Sequence, residues 1–220
     1  MTLSEMLDRT VSLIFPQRCL ACEEAVQYDD FLCENCPLTE VGLLGLPFDH
    51  RLAGLAACAE YSGPGRSLVL RVKEGGSHRL YGFLAAQMQA VIEQYWSKIC
   101  FDAIAPVPTT EEKRKSRGFN QTELLAAPLQ TRTGIPVLPH LLHRKAGSKT
   151  QHELDSAERR ENARTSYQIN RSELAAGKTI LLLDDLITTG QTVSACADCL
   201  LEAGAKDVYA LSAAHRPRWY

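Results

Sequence analysis

The stretch that most constrains this chain is residues 178–192, KTILLLDDLITTGQT. Its apolar run at 180–183 is short and unbroken, the pattern of a central strand in a parallel sheet with both faces buried. Asp184 and Asp185 follow directly. Successive strand side chains point to opposite faces, so the two carboxylates can divide their work between a ligand and the loop packing behind it. Thr188, Thr189, Gly190, Gln191 and Thr192 then make a small-residue turn into an apolar-periodic helix over 193–201. Backbone N–H groups and hydroxyls at such a positive helix end favour a phosphate. Acids for sugar hydroxyls or a metal, set beside an amide cradle, point to a phosphorylated sugar. Asp and Thr could simply cap a helix, but adjacent carboxylates at the end of a buried strand are costly to place without a ligand. Neither GxxxxGK[ST] nor GxGxxG occurs in the chain.

The 220 residues leave room for one full α/β domain and a small module, and an apolar content of 45% suffices for a core. A formal charge of −2 declares no nucleic-acid or membrane partner by itself. The opening MTLSEMLDRTVSLIF has acids ahead of any long apolar run and no basic leader, and no stretch is long enough for membrane insertion. The expectation is a cytoplasmic chain whose eight cysteines stay reduced.

Four of those cysteines form two CxxC pairs, Cys19 with Cys22 and Cys33 with Cys36, separated by ten residues. Each pair is a turn able to bring two thiolates to one tetrahedral ion, and four sulfurs favour structural zinc over disulfides or an iron–sulfur cluster. The segment between them is too short for a core, so a metal would supply its folding energy. Cys58, Cys100, Cys196 and Cys199 read as packed thiols. Residues 4–15 read as a short leader helix, and the division expected is 1–46 for leader and cysteine module, 47–220 for the main domain.

Along the main domain, 42–47 reads as a connection, 52–61 as a strand and Ser62-Gly63-Pro64-Gly65 as a turn. Leu68, Leu70 and Val72 alternate with charged residues up to Lys73. Residues 79–96 form an amphipathic helix with Leu80, Leu84, Met88, Val91 and Tyr95 on its core stripe. A strand at 101–105, a helix over 121–132 and a strand element at Val137-Leu138 follow. Between Lys113 and Arg164 stand eleven Lys or Arg against five Asp or Glu. These cations are either a solvated loop or an arc converging on a polyanion.

Residues 182–192 closely resemble the phosphoribosyl-pyrophosphate (PRPP) signature of type I phosphoribosyltransferases. PVP followed by RGFNQ, the later T-x-x-Q and E-R-x-E-N, the run from Tyr61 to Gly75 and the cysteine module extend the likeness across nearly the whole chain. In that order they resemble the ComF family, the competence-associated branch of phosphoribosyltransferase-like proteins. The resemblance implies a type I phosphoribosyltransferase fold, a mostly parallel α/β sheet flanked by helices. It implies Asp184 and Asp185 at the ribose hydroxyls, residues 188–192 at the 5-phosphate, and Mg2+ bound with PRPP. Arg117, Gln151, Arg159 and Arg160 become pyrophosphate or lid contacts, Asn120 and Asn162 weaker ones, and Lys73 matches the lysine of the Tyr61 to Gly75 run.

Where base-specific transferases carry a hood, this chain has the cysteine module, and the acceptor is not named by any motif. No side chain stands out as a general base; Asp185 is the candidate. Two functions follow: a PRPP-dependent transferase linked to DNA uptake, or a non-catalytic single-stranded DNA-binding accessory working with uptake or recombination proteins. For the second, Lys113, Arg114, Lys115, Arg144 and Lys149 would follow the strand, and Phe119, Tyr167, His215 and Trp219 could stack bases.

Overall fold

In the computed structural model the described residues are 16–27, 30–45, 52–145 and 166–217. The expected leader helix at 4–15, Gln151, Arg159, Arg160, Asn162, Lys149 and Trp219 lie outside them.

The chain begins with a two-residue hairpin, β1 (Gln17–Arg18) against β2 (Ala25–Val26), whose turn carries the first CxxC pair. A five-stranded sheet follows, in the order β3-β4-β9-β8-β5. β3 (Glu40–Leu43) is its antiparallel edge; β4 (Gly54–Glu60), β5 (Ala103–Pro106), β8 (Thr179–Ile187) and β9 (Asp207–His215) are mutually parallel. Gly42 and Leu43, expected in a connection, therefore already belong to the sheet, while the expected division after residue 46 falls where the chain is not described.

Between strands run α1 (Gly63–Lys73), α2 (His78–Trp96), α3 (Glu111–Arg117), α4 (Gln121–Thr133) and α5 (Gln191–Glu202). A small hairpin, β6 (Leu142–Arg144) with β7 (Tyr167–Ile169), precedes β8. β8 shows why both sheet faces must be covered. Leu181 and Leu183 enter the core made with α1, α2, α4 and the cysteine module. Ile180 and Leu182 enter a second core made with α5 and the β6–β7 hairpin. A strand buried on both faces loses the polar alternation of a one-sided sheet.

Several elements differ from the expectation. α1 replaces the turn at 62–65 and the alternating run after it: Pro64 sits in the first helical turn, where its missing N–H costs nothing, and the buried face is Leu68, Val69 and Val72. β8 runs to Ile187, so the two acids lie inside the strand rather than after it. Val137 makes only an isolated bridge to Ile104. Tyr95 leaves the core stripe of α2 and is exposed, with its ring over Gly42. Cys58 and Cys196 are packed thiols as expected, Cys199 is half-buried, and Cys100 is exposed.

Candidate phosphosugar site and cysteine cluster

The parity that divides the two cores continues through the acids. Asp184 keeps the register of Ile180 and Leu182 and faces α5 and the hairpin; Asp185 keeps that of Leu181 and Leu183 and faces α1. Both are buried, at 7% and 6% exposure. Asp184 Oδ1 accepts the Asp185 backbone N–H at 2.8 Å. Lys73 Nζ, at the last residue of α1, stands 3.5 Å from Asp185 Oδ2. That oxygen is buried and accepts no hydrogen bond among the described residues. Burial, and then the neighbouring Asp185 carboxylate, hold the Asp184 carboxyl well above the usual carboxylate range.

The acids open into a cleft of about 170 Å³ at the carboxyl ends of β5 and β8, lined also by Lys73, Lys113, Arg144, Tyr167 and Thr192. In open parallel sheets this is the edge at which ligands bind. Gly190 precedes α5 with φ of 76°, a left-handed conformation that side chains disfavour, and Gln191 N–H donates to Thr189 Oγ1 at 3.4 Å. Thr192, in the first turn of α5, reaches the cleft.

RGFNQ turns out to be a corner between two helices. Arg117 ends α3 and donates to Gln121 Oε1 at 3.1 Å. Phe119 packs on Gly75, where an added Cβ would lie 3.1 Å from its ring. Asn120 caps α4 and donates to the Val107 carbonyl at the end of β5. Asn120, expected as a weaker pyrophosphate contact, is thus engaged in holding the corner. Lys113 has its pKa lowered by partial desolvation first, then by Arg117, Lys73 and Arg144. Lys113 therefore stands in the field of three other cations, two of which, Lys73 and Arg144, line the cleft with it. The sequence reading had singled out Lys73, Arg117 and the basic arc; it missed how α3 directs Lys113 inward, because that helix has no apolar stripe to announce it.

Of the proposed base-stacking rings, Tyr167 is buried in the second core, which excludes it from open stacking, and Phe119 is taken up by Gly75.

The four cysteines of the amino-terminal pairs converge, with their sulfurs all within 4.8 Å of one another. Cys19 Sγ accepts N–H groups from Ala21 and Cys33, each at 3.4 Å. Burial works against ionising Cys19, yet donation from the Cys22, Cys33 and Ala21 N–H groups brings its pKa down to about 6. Burial first, and then the neighbouring thiols, push the Cys36 thiol up, so it is the convergence of four sulfurs that fits a structural metal ion. Its surroundings come from α1 and α2. Arg79 donates to the carbonyls of Arg18 and Asp30 and lies over the Phe31 ring, Phe31 stacks on Phe83 at 5.2 Å, and Arg71 pairs with Glu23 at 2.9 Å.

Residues 130–218 match the phosphoribosyl transferase domain family, and the fold is a type I phosphoribosyltransferase fold with a cysteine cluster toward its amino terminus. Over its length the chain is homologous to the DNA utilization protein YhgH of Escherichia coli (strain K12), 26% identical over 208 residues that span 86% of each chain. Competence protein F of Haemophilus influenzae is 30% identical over 109 residues, covering 49% of this chain and 47% of that one. Competence protein ComFC of Bacillus subtilis is 33% identical over 103 residues, 46% and 39% of the two chains. Adenine phosphoribosyltransferase from Saccharomyces cerevisiae superposes over 61% of this chain and 68% of its own, with a TM-score of 0.42 and 17% identity, too remote a likeness to bear on chemistry. No helix among the described residues is long and apolar enough to cross a membrane.

The position of Asp184 yields a test. A carboxyl whose folded pKa is raised contributes stability at low pH that is lost as pH climbs through that pKa. Asp184→Asn should therefore melt like the wild type near pH 4 and a few degrees higher at neutral pH, on the ~1 kcal/mol scale for a chain of this size. Thermal melts across that range check it; a lower melting point at neutral pH contradicts the buried-carboxyl account.

Proposed function

We propose that the chain binds PRPP and acts as a phosphoribosyltransferase serving DNA utilisation. The observation that carries this reading is the pair of buried, adjacent acids facing opposite sides of β8, with Asp185 Oδ2 left without a hydrogen-bond donor among the described residues. Ribose hydroxyls would meet Asp184 and Asp185. The 5-phosphate would rest on residues 188–192, against the N–H groups that open α5. Lys73, Lys113, Arg117 and Arg144 would face the pyrophosphate, joined through the family resemblance by Gln151, Arg159 and Arg160. Mg2+ would be held in company with Asp184 or Asp185 and would neutralise charge on the departing diphosphate.

In the transfer, the bond from ribose C1 to the pyrophosphate oxygen breaks and an acceptor bonds to C1 from the opposite side. The chain's part is positional. It fixes the ribose through two carboxylates, gathers cations around the leaving group and excludes water. The relatives named for DNA utilization and competence support the cellular setting. A second reading, single-stranded DNA held along Lys113, Arg114 and Lys115, is favoured by the basic side of α3.

Titration calorimetry separates the two. PRPP with Mg2+ should bind wild-type protein and bind at least tenfold more weakly to Asp185→Asn, because each lost contact to a charged group is worth roughly 1.5–3 kcal/mol. Labelled single-stranded DNA should then be displaced by PRPP if the cations are shared. Heatless titration at millimolar PRPP would refute the phosphosugar reading.

For the cysteine cluster we propose Zn2+ as the structural ion, since four thiolates leave no open coordination position. Elemental analysis of protein prepared under reducing conditions should return about one zinc per chain. Stoichiometric disulfides with no zinc would contradict it.

A further inference from the structure

The residues that open α4, Asn120, Gln121 and Thr122, are polar and buried, at 5%, 7% and 1% exposure. Polar groups taken out of water need hydrogen-bond partners, so each calls for an account. Asn120 and Thr122 have one: both donate to the Val107 carbonyl, at 3.4 and 2.7 Å, and tie α4 to the end of β5. Gln121 takes no part in that clamp. Its Oε1 accepts from Arg117 Nη1 at 3.1 Å, and its Nε2 donates to nothing among the described residues. The buried side-chain atoms that lack a partner there are His143 Nδ1 and Asp185 Oδ2, so Gln121 Nε2 is open to solvent. Gln121 lines the cleft with Lys73, Lys113, Asp184 and Asp185, whereas Arg117 does not.

The direction of the amide follows from its partner. A guanidinium has donors and no acceptor, so the side of the amide that faces Arg117 is the carbonyl. The two N–H bonds of Nε2 are then turned away from Arg117. A cation on the carbonyl polarises the amide and makes those N–H groups stronger donors. The fold also decides which end of the ligand they meet. Leu125, Ala126 and Leu129 of α4 enter the core that holds Leu181 and Leu183, the face of β8 to which Asp185 and its partner Lys73 belong. The helix α5 enters the opposite core. Gln121 therefore stands with Lys73 and Lys113, across the strand from the turn at 188–192. A lysine offers a diphosphate a mobile point charge; an amide held by its oxygen offers a donor of fixed direction.

We propose that Gln121 is a diphosphate-binding residue, its amide N–H groups donating to an oxygen of the leaving group, with Arg117 as the positioning residue that holds the amide carbonyl. The inference rests on the phosphosugar reading and adds to it a neutral donor from the RGFNQ corner. Arg117 acts on the pyrophosphate through Gln121.

The test uses the full chain and two probes, PRPP with Mg2+ and ribose 5-phosphate. Gln121→Glu keeps the side-chain length and gives Arg117 a carboxylate to bind, and an acid in the first turn suits α4. It replaces the donor by a negative charge on the diphosphate side. PRPP should bind about tenfold more weakly or worse, the scale of one hydrogen bond to a charged group, while ribose 5-phosphate binds like wild type. Gln121→Met fills the same space without a donor and should show the same split. In 31P spectra of bound PRPP, the diphosphate resonances should move in Gln121→Met and the 5-phosphate resonance should stay in place. Arg117→Met should weaken PRPP too, and the variant carrying Arg117→Met and Gln121→Met should lose less than the two losses combined, because the pair acts as one unit. Wild-type PRPP affinity in either Gln121 variant, equal losses for the two probes, or a moved 5-phosphate resonance would overturn the role of Gln121 and leave the phosphosugar reading standing. Losses that add in the double variant would overturn the part given to Arg117. Failure of the wild-type protein to bind PRPP would overturn both readings.

Discussion

The site depends on one geometric constraint: adjacent residues of an extended strand cannot face the same side. β8 lies between the central strand β9 and the edge strand β5, and its alternation assigns Leu181 and Leu183 to one core and Ile180 and Leu182 to the other. Asp184 and Asp185 inherit that division. One acid meets the elements of the second core, Tyr167 and the first turn of α5. The other meets Lys73 at the end of α1. Shifting the strand by one residue would exchange both sets of neighbours, so the hydrophobic register and the placement of the acids are the same choice.

That arrangement carries a cost. Two carboxyls below one-tenth exposure are held beside each other with one ammonium at 3.5 Å. Buried charge of this kind weakens a fold unless a partner compensates. The compensation is incomplete, since Asp185 Oδ2 has no hydrogen-bond donor among the described residues. A site tensed in this way favours a ligand that brings hydroxyl donors or a cation. The cysteine cluster solves a different problem. Its short strands hold little apolar surface, and its contacts with α1 and α2 run through Phe31, Arg71 and Arg79. Metal bonds would supply order that such a segment cannot reach by burial.

The strand, the turn before α5 and the cysteine pairs were legible in the sequence because each has a local cause: an apolar run, a glycine-bearing turn, a fixed spacing. α1 was not, because Ser-Gly-Pro-Gly carries every mark of a turn and Leu68, Leu70 and Val72 imitate a strand. Only the sheet beneath shows that Leu68, Val69 and Val72 form its buried face. β9 was also missed. Its DVYALSAAH is built largely of small residues, and it becomes a strand by pairing with β4 and β8 on either side. The link from Lys73 to Asp185 joins residues more than a hundred positions apart, and no local pattern encodes it.

The central claim is that the two faces of β8 and the turn after it form one phosphosugar site. A crystal structure of the chain with PRPP and Mg2+ tests this most directly. The account predicts ribose hydroxyls on Asp184 and Asp185, the 5-phosphate over residues 188–192, and pyrophosphate toward Lys73 and Lys113. A sugar phosphate bound along α3 with both acids untouched would contradict it.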